Sequence, residues 1–184
     1  MENIILSPPS SLIQWLQLYI LYRMSFPRAE RKPFSIILRA HRRGMTDIWC
    51  IQEGTNFLGF AATMNSPKLI MLDYLVISKK HRGQGIGTIA MKALIQRYCD
   101  RELILEIESP YEPGPDQANR QKRKQFYLNC GMEPLNIMAD VFGIKMELLG
   151  KNCQMDFDRY RNFYRDFYKP WAAKHILPAE YPEQ

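Results

Sequence analysis

The chain has 184 residues, a length that suits one domain with a continuous core. Residues are 46% hydrophobic and 24% charged, which argues against a disordered or fibrous protein. With 25 basic and 19 acidic residues, the net charge is +6. This excess favours an anionic ligand or partner, and nucleic acid, an acidic membrane surface or a phosphorylated cofactor would each satisfy it.

The cysteines and the apolar segments limit the class of protein further. Four cysteines lie far apart and form no CxxC pair, so we expect reduced thiols and no bound metal. The first three residues lack the basic region of a secretory signal. The most apolar run, residues 12–22, is too short to cross a bilayer and contains two glutamines. We therefore expect a soluble cytoplasmic protein with no membrane partner.

Periodicity and breaker residues predict the elements of the first half of the chain. A helix is expected from about Leu12 to Met24, and a second helix over 33–44 that Gly44 ends. Three strands follow, at 47–54, 56–65 and 69–78. The short turn between the first two of them reads as a hairpin.

The second half alternates helices with strands. After a glycine-rich loop, helical periodicity runs to about Cys99, and a second helix is predicted over 118–131, where Gly131 closes it. Strands are expected at 102–109, 134–142 and 144–149. The first strands follow one another as an antiparallel meander, and the chain then enters a strand–helix–strand crossover, which pairs its strands in parallel. This order predicts an α+β fold with a mixed sheet.

The last part of the chain carries an aromatic stripe. From Phe157 onwards, aromatic residues follow helical spacing, namely Tyr160, Tyr164, Phe167, Tyr168 and Trp171. This stripe favours a packing face, either against the sheet or against a second copy in a homodimer, over a ligand site.

The sequence HRGQGIG at 81–87 joins a strand to a helix. A loop that opens a helix presents unpaired N–H groups at a positive helix end, and glycines allow an anion to approach closely. The loop is not a P-loop, because no lysine follows Gly87. It is at best a weak dinucleotide fingerprint, since it lies late in the chain after an antiparallel meander.

Two segments together resemble the GNAT superfamily of N-acetyltransferases. The first is Arg82-x-x-Gly85-x-Gly87 between a strand and a helix, and the second is 126–132, FYLNCGM, which resembles the family's Y-x-x-x-G-F segment. The resemblance spans roughly residues 10–150 in element order, and implies a GNAT-like fold in 1–150 with a C-terminal helical extension at 151–184.

The resemblance also implies a cofactor site for acetyl-CoA as cosubstrate. The family's fourth and fifth strands splay apart and acetyl-CoA lies in the wedge. The strand residues Leu75, Val76 and Ile77 would pair with the pantetheine arm through their backbone. The pyrophosphate would be held by the loop, which comprises Arg82, Gly83, Gln84, Gly85, Ile86 and Gly87.

Candidate catalytic residues follow from the same resemblance and from their setting. Tyr127 matches the family's tyrosine that protonates the departing thiolate, and a phenol is well matched to a thiol leaving group. Asp73 stands in an otherwise apolar strand, where we expect a raised pKa and the role of base. Glu106 and Glu108 are alternative bases. The sequence departs from the family at Arg120, where an asparagine is common. This departure suggests that Arg120, together with Arg123, meets the cofactor phosphates.

The function expected is therefore acetyl-CoA-dependent N-acetyl transfer to a primary amine of a small-molecule or peptidic acceptor, by direct attack in a ternary complex. The acceptor is expected on the side of the first two helices and the loop FPRAER, with Glu30 attracting its ammonium group. A catalytically degenerate module that binds acyl-CoA is the alternative. Nucleic acid is disfavoured as a partner, because the basic segments lack interleaved aromatics and any known binding signature.

Overall fold

The structure is a computed structural model that describes residues 4–26 and 31–181. It divides into two compact units, Met1–Arg101 and Glu102–Gln184. In the first unit the elements are β1 (Ile4–Ser7), α1 (Leu12–Ser25), α2 (Phe34–Arg42), β2 (Thr46–Glu53), β3 (Asn56–Asn65), β4 (Leu69–Ile77), a 3₁₀ turn (Lys79–His81) and α3 (Ile86–Arg97). Strands β1 to β4 pair in chain order and all antiparallel.

Strand β4 separates two apolar clusters in the first unit. Tyr74 and Val76 belong to a buried cluster with Leu18 and Tyr22 of α1. Leu75 and Ile77 pack instead against a cluster that includes Ile86 of α3. Because neighbouring side chains of a strand point to opposite faces, α1 and α3 cover opposite faces of β4.

A buried polar network fixes the end of α3. Tyr98 caps the C-terminus of the helix, and its hydroxyl receives a hydrogen bond from Trp49 Nε1 at 2.9 Å and donates to Asp47 Oδ2 at 2.8 Å. Burial raises the pKa of Tyr98 to about 12. The helix is thus held at its far end, while its first residues follow the exposed loop at 82–85.

In the described residues, 102–181, the second unit is a four-stranded antiparallel sheet with three helices. Its elements are β5 (Glu102–Glu108), α4 (Gln117–Asn129), β6 (Glu133–Val141), β7 (Ile144–Lys151), α5 (Phe157–Tyr168), α6 (Pro170–Ala173) and β8 (Ile176–Ala179). Strand β7 lies between β5 and β6, and β8 pairs with the other edge of β6.

Helix α5 is tied to β5 by polar contacts. Tyr160 and Tyr164 both donate a hydrogen bond to Glu106 Oε1, the second at 2.7 Å, and Arg159 forms an ion pair with Glu102. Tyr160 and Tyr164 of the aromatic stripe thus contact β5, whereas Trp171 lies in α6 and is exposed, so the packing role of the whole stripe stays a prediction. The homodimer stays a prediction.

The α+β class is confirmed, and every helix and strand predicted from periodicity is present within a few residues of its expected bounds. Strands β1 and β8 were not predicted. Each has only four residues, too few to show a period. In the part of the chain that the structure describes, no helix combines the length and apolarity needed to cross a membrane.

Candidate active site

The loop at 82–85 adopts a conformation that needs its glycines. Gly83 and Gly85 have φ of +75° and +76°, in the left-handed region that residues with a side chain rarely adopt. Gly85 is the N-cap of α3 and offers no side chain to cap the helix. Ile86, the next residue, is buried in the core. The first turn of α3 is therefore anchored from inside, while its N-terminus opens towards solvent.

Two side chains of the loop donate hydrogen bonds to backbone carbonyl oxygens of the residues before it. Arg82 Nε donates to the carbonyl oxygen of Ile77 at 3.0 Å, which ties the loop to the end of β4. Gln84 Nε2 donates to the carbonyl oxygen of Lys80 at 3.3 Å. A β-carbon built on Gly83 or Gly85 would meet no atom within 4 Å, so these glycines border open space.

A β-bulge lies at Asp73. Ala62 pairs with Tyr74 and Thr63 with Leu72, so Asp73 is an extra residue of β4 with no partner in register. Bulges interrupt alternation and re-aim the side chain of the extra residue.

Regular strand alternation would place Asp73 on the same face of β4 as Leu75 and Ile77, and the bulge overturns that expectation. The Asp73 carboxylate instead accepts hydrogen bonds from Lys32 Nζ at 2.7 and 2.8 Å. The carbonyl oxygen of Lys32 accepts a hydrogen bond from Tyr22 of α1 at 2.8 Å. Asp73 thus reaches the α1 side of the sheet, with the cluster that contains Tyr74. Glu30, expected nearby, lies outside the described residues.

In the second unit, helix termination sets the position of Tyr127. Gly131 has φ of +92°, its N–H bonds to the carbonyl of Leu128 at 2.9 Å, and the N–H of Met132 bonds to the carbonyl of Tyr127 at 3.1 Å. This pair of bonds is the Schellman motif, so the four-residue spacing from Tyr127 to Gly131 follows from how α4 ends. Desolvation raises the pKa of Tyr127 to about 12, which keeps the phenol protonated at neutral pH.

Both glutamates proposed as alternative bases have partners within the second unit. Glu106 accepts the two tyrosine hydroxyls of α5 described above. Glu108 forms an ion pair with Arg123 at 3.4 Å.

Arg120 donates to the carbonyl oxygens of Ser109 and Glu112, and its side chain is 11% exposed. Arg120 therefore braces the loop before α4, a role that its sequence position did not indicate.

A model of the acetyltransferase (GNAT) family matches residues 15–129, well over half of the chain. The chain belongs to the acetyltransferase (GNAT) family. The matched range includes the glycine loop and Tyr127, the two features on which the resemblance was based.

One curated relative is an acetyltransferase by name. This relative, the Bacillus subtilis (strain 168) protein YjbC, is 31% identical over 106 residues, which are 55% of this chain and 49% of that protein. The match thus spans about half the length of this curated relative.

Solved structures show the same fold. A GNAT-family protein from Bacteroides thetaiotaomicron has a TM-score of 0.73 at 17% identity, covering 93% of this chain and 98% of that one. A Bacillus subtilis acetyltransferase in complex with CoA has a TM-score of 0.60 at 13% identity, covering 83% of this chain and 99% of the other.

One polar residue of this GNAT chain was missed by the sequence reasoning. Lys32 precedes Pro33 and carries no motif, and its ion pair with Asp73 joins residues 41 positions apart. No local pattern reports such a long-range contact.

Proposed function

We propose that this chain is an acetyl-CoA-dependent N-acetyltransferase that acetylates a primary amine of a small-molecule or peptidic acceptor, by direct attack in a ternary complex. The main observation in support of the proposal is the exposed loop before helix α3, in which Gly83 and Gly85 both have positive φ and Gly85 is the N-cap. Membership of the GNAT family and a CoA-bound structural neighbour support the same reading.

The loop fits a pyrophosphate on physical grounds. The first N–H groups of a helix lack intrahelical acceptors and carry the positive end of the helix dipole, which favours an anion. The segment 79–82 supplies two lysines, a histidine and an arginine, and no carboxylate lies between residues 79 and 88. We assign Arg82, Gly83, Gln84, Gly85, Ile86 and Gly87 to this contact.

The pantetheine arm is assigned to the end of β4. Leu75, Val76 and Ile77 pair with β3 along one edge of the strand, so backbone hydrogen bonds to a cofactor come from the opposite edge. The loop at 82–87 follows the C-terminal end of β4. An arm that starts at the loop and runs back along Ile77 to Leu75 therefore brings its sulfur end towards Asp73.

Three groups of the chain have roles in this reaction. Asp73 accepts a proton from the incoming ammonium, so that a neutral amine attacks. The backbone N–H of Val76 polarises the thioester carbonyl by donating a hydrogen bond to its oxygen. Tyr127 donates its phenolic proton to the departing sulfur. Its raised pKa, about 12, favours the protonated form that this role requires.

Two further assignments belong to the proposal. Residues 1–150 form the acetyltransferase domain, and 151–184 form a C-terminal extension of it that contains helices α5 and α6 and strand β8. The enzyme works in the cytoplasm, and its partners are acetyl-CoA and the acceptor.

A panel of primary amines with acetyl-CoA, scored by release of the free thiol, tests the proposal. The expected result is turnover with at least one alkyl amine, and turnover about a hundredfold or more slower in the Tyr127→Phe variant. Tight binding of acetyl-CoA without turnover of any amine or peptide would contradict catalysis and favour the acyl-CoA-binding module.

A further inference from the structure

One lysine differs from the exposed lysines of the first unit in how it is held. Lys32 Nζ lies 2.7 and 2.8 Å from the two carboxylate oxygens of Asp73, and the two side chains are 28% and 16% exposed. The nitrogen also lies 5.7 Å from the centre of the Tyr74 ring. Tyr22 holds the backbone of Lys32 through a hydrogen bond of 2.8 Å. By contrast, Lys68, Lys79, Lys80 and Lys92 are exposed.

We propose that Lys32 is a self-acetylation site of this chain. The inference rests on the proposed function, in which Asp73 deprotonates a primary ammonium group. Lys32 Nζ is a primary alkyl ammonium that already donates to both oxygens of that carboxylate. It therefore occupies the position that an acceptor's amine needs for the proton transfer.

The strand geometry brings the reactive end of the cofactor to the same place. Asp73 lies two residues before Leu75, which is a distance of roughly 7 Å along an extended strand. A pantetheine arm that runs from the glycine loop along Ile77 to Leu75 therefore ends next to the carboxylate of Asp73. The lysine nitrogen, at 2.7 Å from Asp73, then lies close to the position proposed for the thioester.

The reaction needs no other reagent than acetyl-CoA. Lys32 Nζ gives one proton to Asp73, and the neutral nitrogen attacks the acetyl carbonyl carbon. A carbon–nitrogen bond forms and the carbon–sulfur bond breaks, while the sulfur leaves with the electron pair and takes up a proton. The nitrogen loses its second proton to water as the amide forms. The products are N-acetyl-Lys32 and free CoA, and the ion pair with Asp73 is lost.

The test uses the whole chain, incubated with acetyl-CoA and no acceptor, digested and mapped by mass spectrometry. We expect one acetyl group on Lys32, approaching one per chain, at a rate that does not depend on protein concentration. Lys68→Arg is the matched control and keeps this modification, whereas Lys32→Arg removes it. Gly85→Asp, which disturbs the proposed cofactor loop, prevents the modification.

Other outcomes separate this inference from the proposed function. If calorimetry shows acetyl-CoA binding and a small amine is acetylated, but Lys32 stays unmodified, the inference is wrong and the proposed function stands. If acetyl groups are instead found on many surface lysines, to the same extent in the wild type and in Gly85→Asp, the modification is chemical acylation. That outcome also overturns the inference. Absence of acetyl-CoA binding would overturn both.

Discussion

The two proposed catalytic side chains differ in what holds them. Tyr127 lies three positions before the cap of α4, and desolvation raises its pKa to about 12. Asp73 is positioned by a bulge in β4, and its carboxylate accepts a hydrogen bond from the ammonium group of Lys32. Tyr127 keeps its proton at neutral pH and can donate it, whereas the Asp73 carboxylate already accepts hydrogen bonds from the ammonium group of Lys32.

Replacing Tyr127 by phenylalanine should remove a proton donor and keep the ring. We expect kcat to fall by about a hundredfold to ten-thousandfold, the usual contribution of general acid catalysis, with little change in the Kd of acetyl-CoA. Steady-state kinetics and calorimetry measure the two quantities. Tyr111→Phe, at an exposed tyrosine of the same unit, is the control and should keep wild-type kcat. An unchanged kcat in Tyr127→Phe would make this residue structural.

Replacing Asp73 by asparagine should remove the base. Because an acceptor amine is hardest to deprotonate at low pH, we expect kcat/KM to fall most on the acidic side of the pH–rate profile, with binding of acetyl-CoA retained. Glu106→Gln and Glu108→Gln are the comparison variants. A normal profile for Asp73→Asn, together with loss of the acidic limb in a glutamate variant, would place the base on β5.

At the level of elements, the β3–β4 pair is packed closely at one point. A β-carbon on Gly59 would lie 2.1 Å from the carbonyl oxygen of Val76, and 3.1 Å from the Cα of Ile77. These are backbone atoms of the strand assigned to the pantetheine arm, and they cannot move aside without shifting β4. The absence of a side chain at residue 59 thus helps to set the position of the proposed cofactor strand.

Gly59→Ala should therefore affect both stability and cofactor affinity. Overpacking of this kind typically costs about 1–3 kcal/mol, which chemical denaturation measures. We also expect a weaker Kd for acetyl-CoA, because Val76 must shift. Gly150→Ala is the control: the three atoms nearest to its added carbon all belong to the Leu135 side chain, the closest at 2.7 Å, and this side chain can rotate away. Equal affinities for the wild type and both variants would argue against the role assigned to β4.

At the scale of the whole molecule, buried acids should make stability fall at high pH. Burial raises the pKa of Cys50 from 9.0 to about 11, and that of Tyr98 from 10.0 to about 12. Between those values the unfolded chain releases protons that the folded chain keeps, so the free energy of unfolding decreases as pH rises through this window. Each of these two groups lowers the free energy of unfolding by at most roughly 2–3 kcal/mol across the window.

Denaturation midpoints from about pH 8 to about pH 12, under reducing conditions, check this expectation. Tyr98→Phe should lower stability at neutral pH, because it breaks the network with Asp47 and Trp49, and should flatten the decline above about pH 10. A decline as steep as in the wild type over that range would show that Tyr98 does not contribute.

The parts of the molecule that the sequence predicted are those set by local signals. The strand at 56–65 has the predicted bounds because its apolar run ends in turn residues, and Gly85 begins α3 because only glycine favours its backbone angles. Contacts between distant segments were not predictable. The bulge at Asp73 depends on register with β3, and its pairing with Lys32 joins separate elements.

Calorimetric titration of acetyl-CoA into wild type and Gly85→Asp tests the assignment of the glycine loop most directly. The variant places a side chain and a negative charge where the pyrophosphate is proposed to bind, so we predict an affinity at least about tenfold weaker, equivalent to about 1.4 kcal/mol. Gly44→Asp is a matched control, because Gly44 is also exposed, has φ of +71° and borders open space. It should bind like the wild type. Equal affinity in Gly85→Asp and wild type would contradict the account.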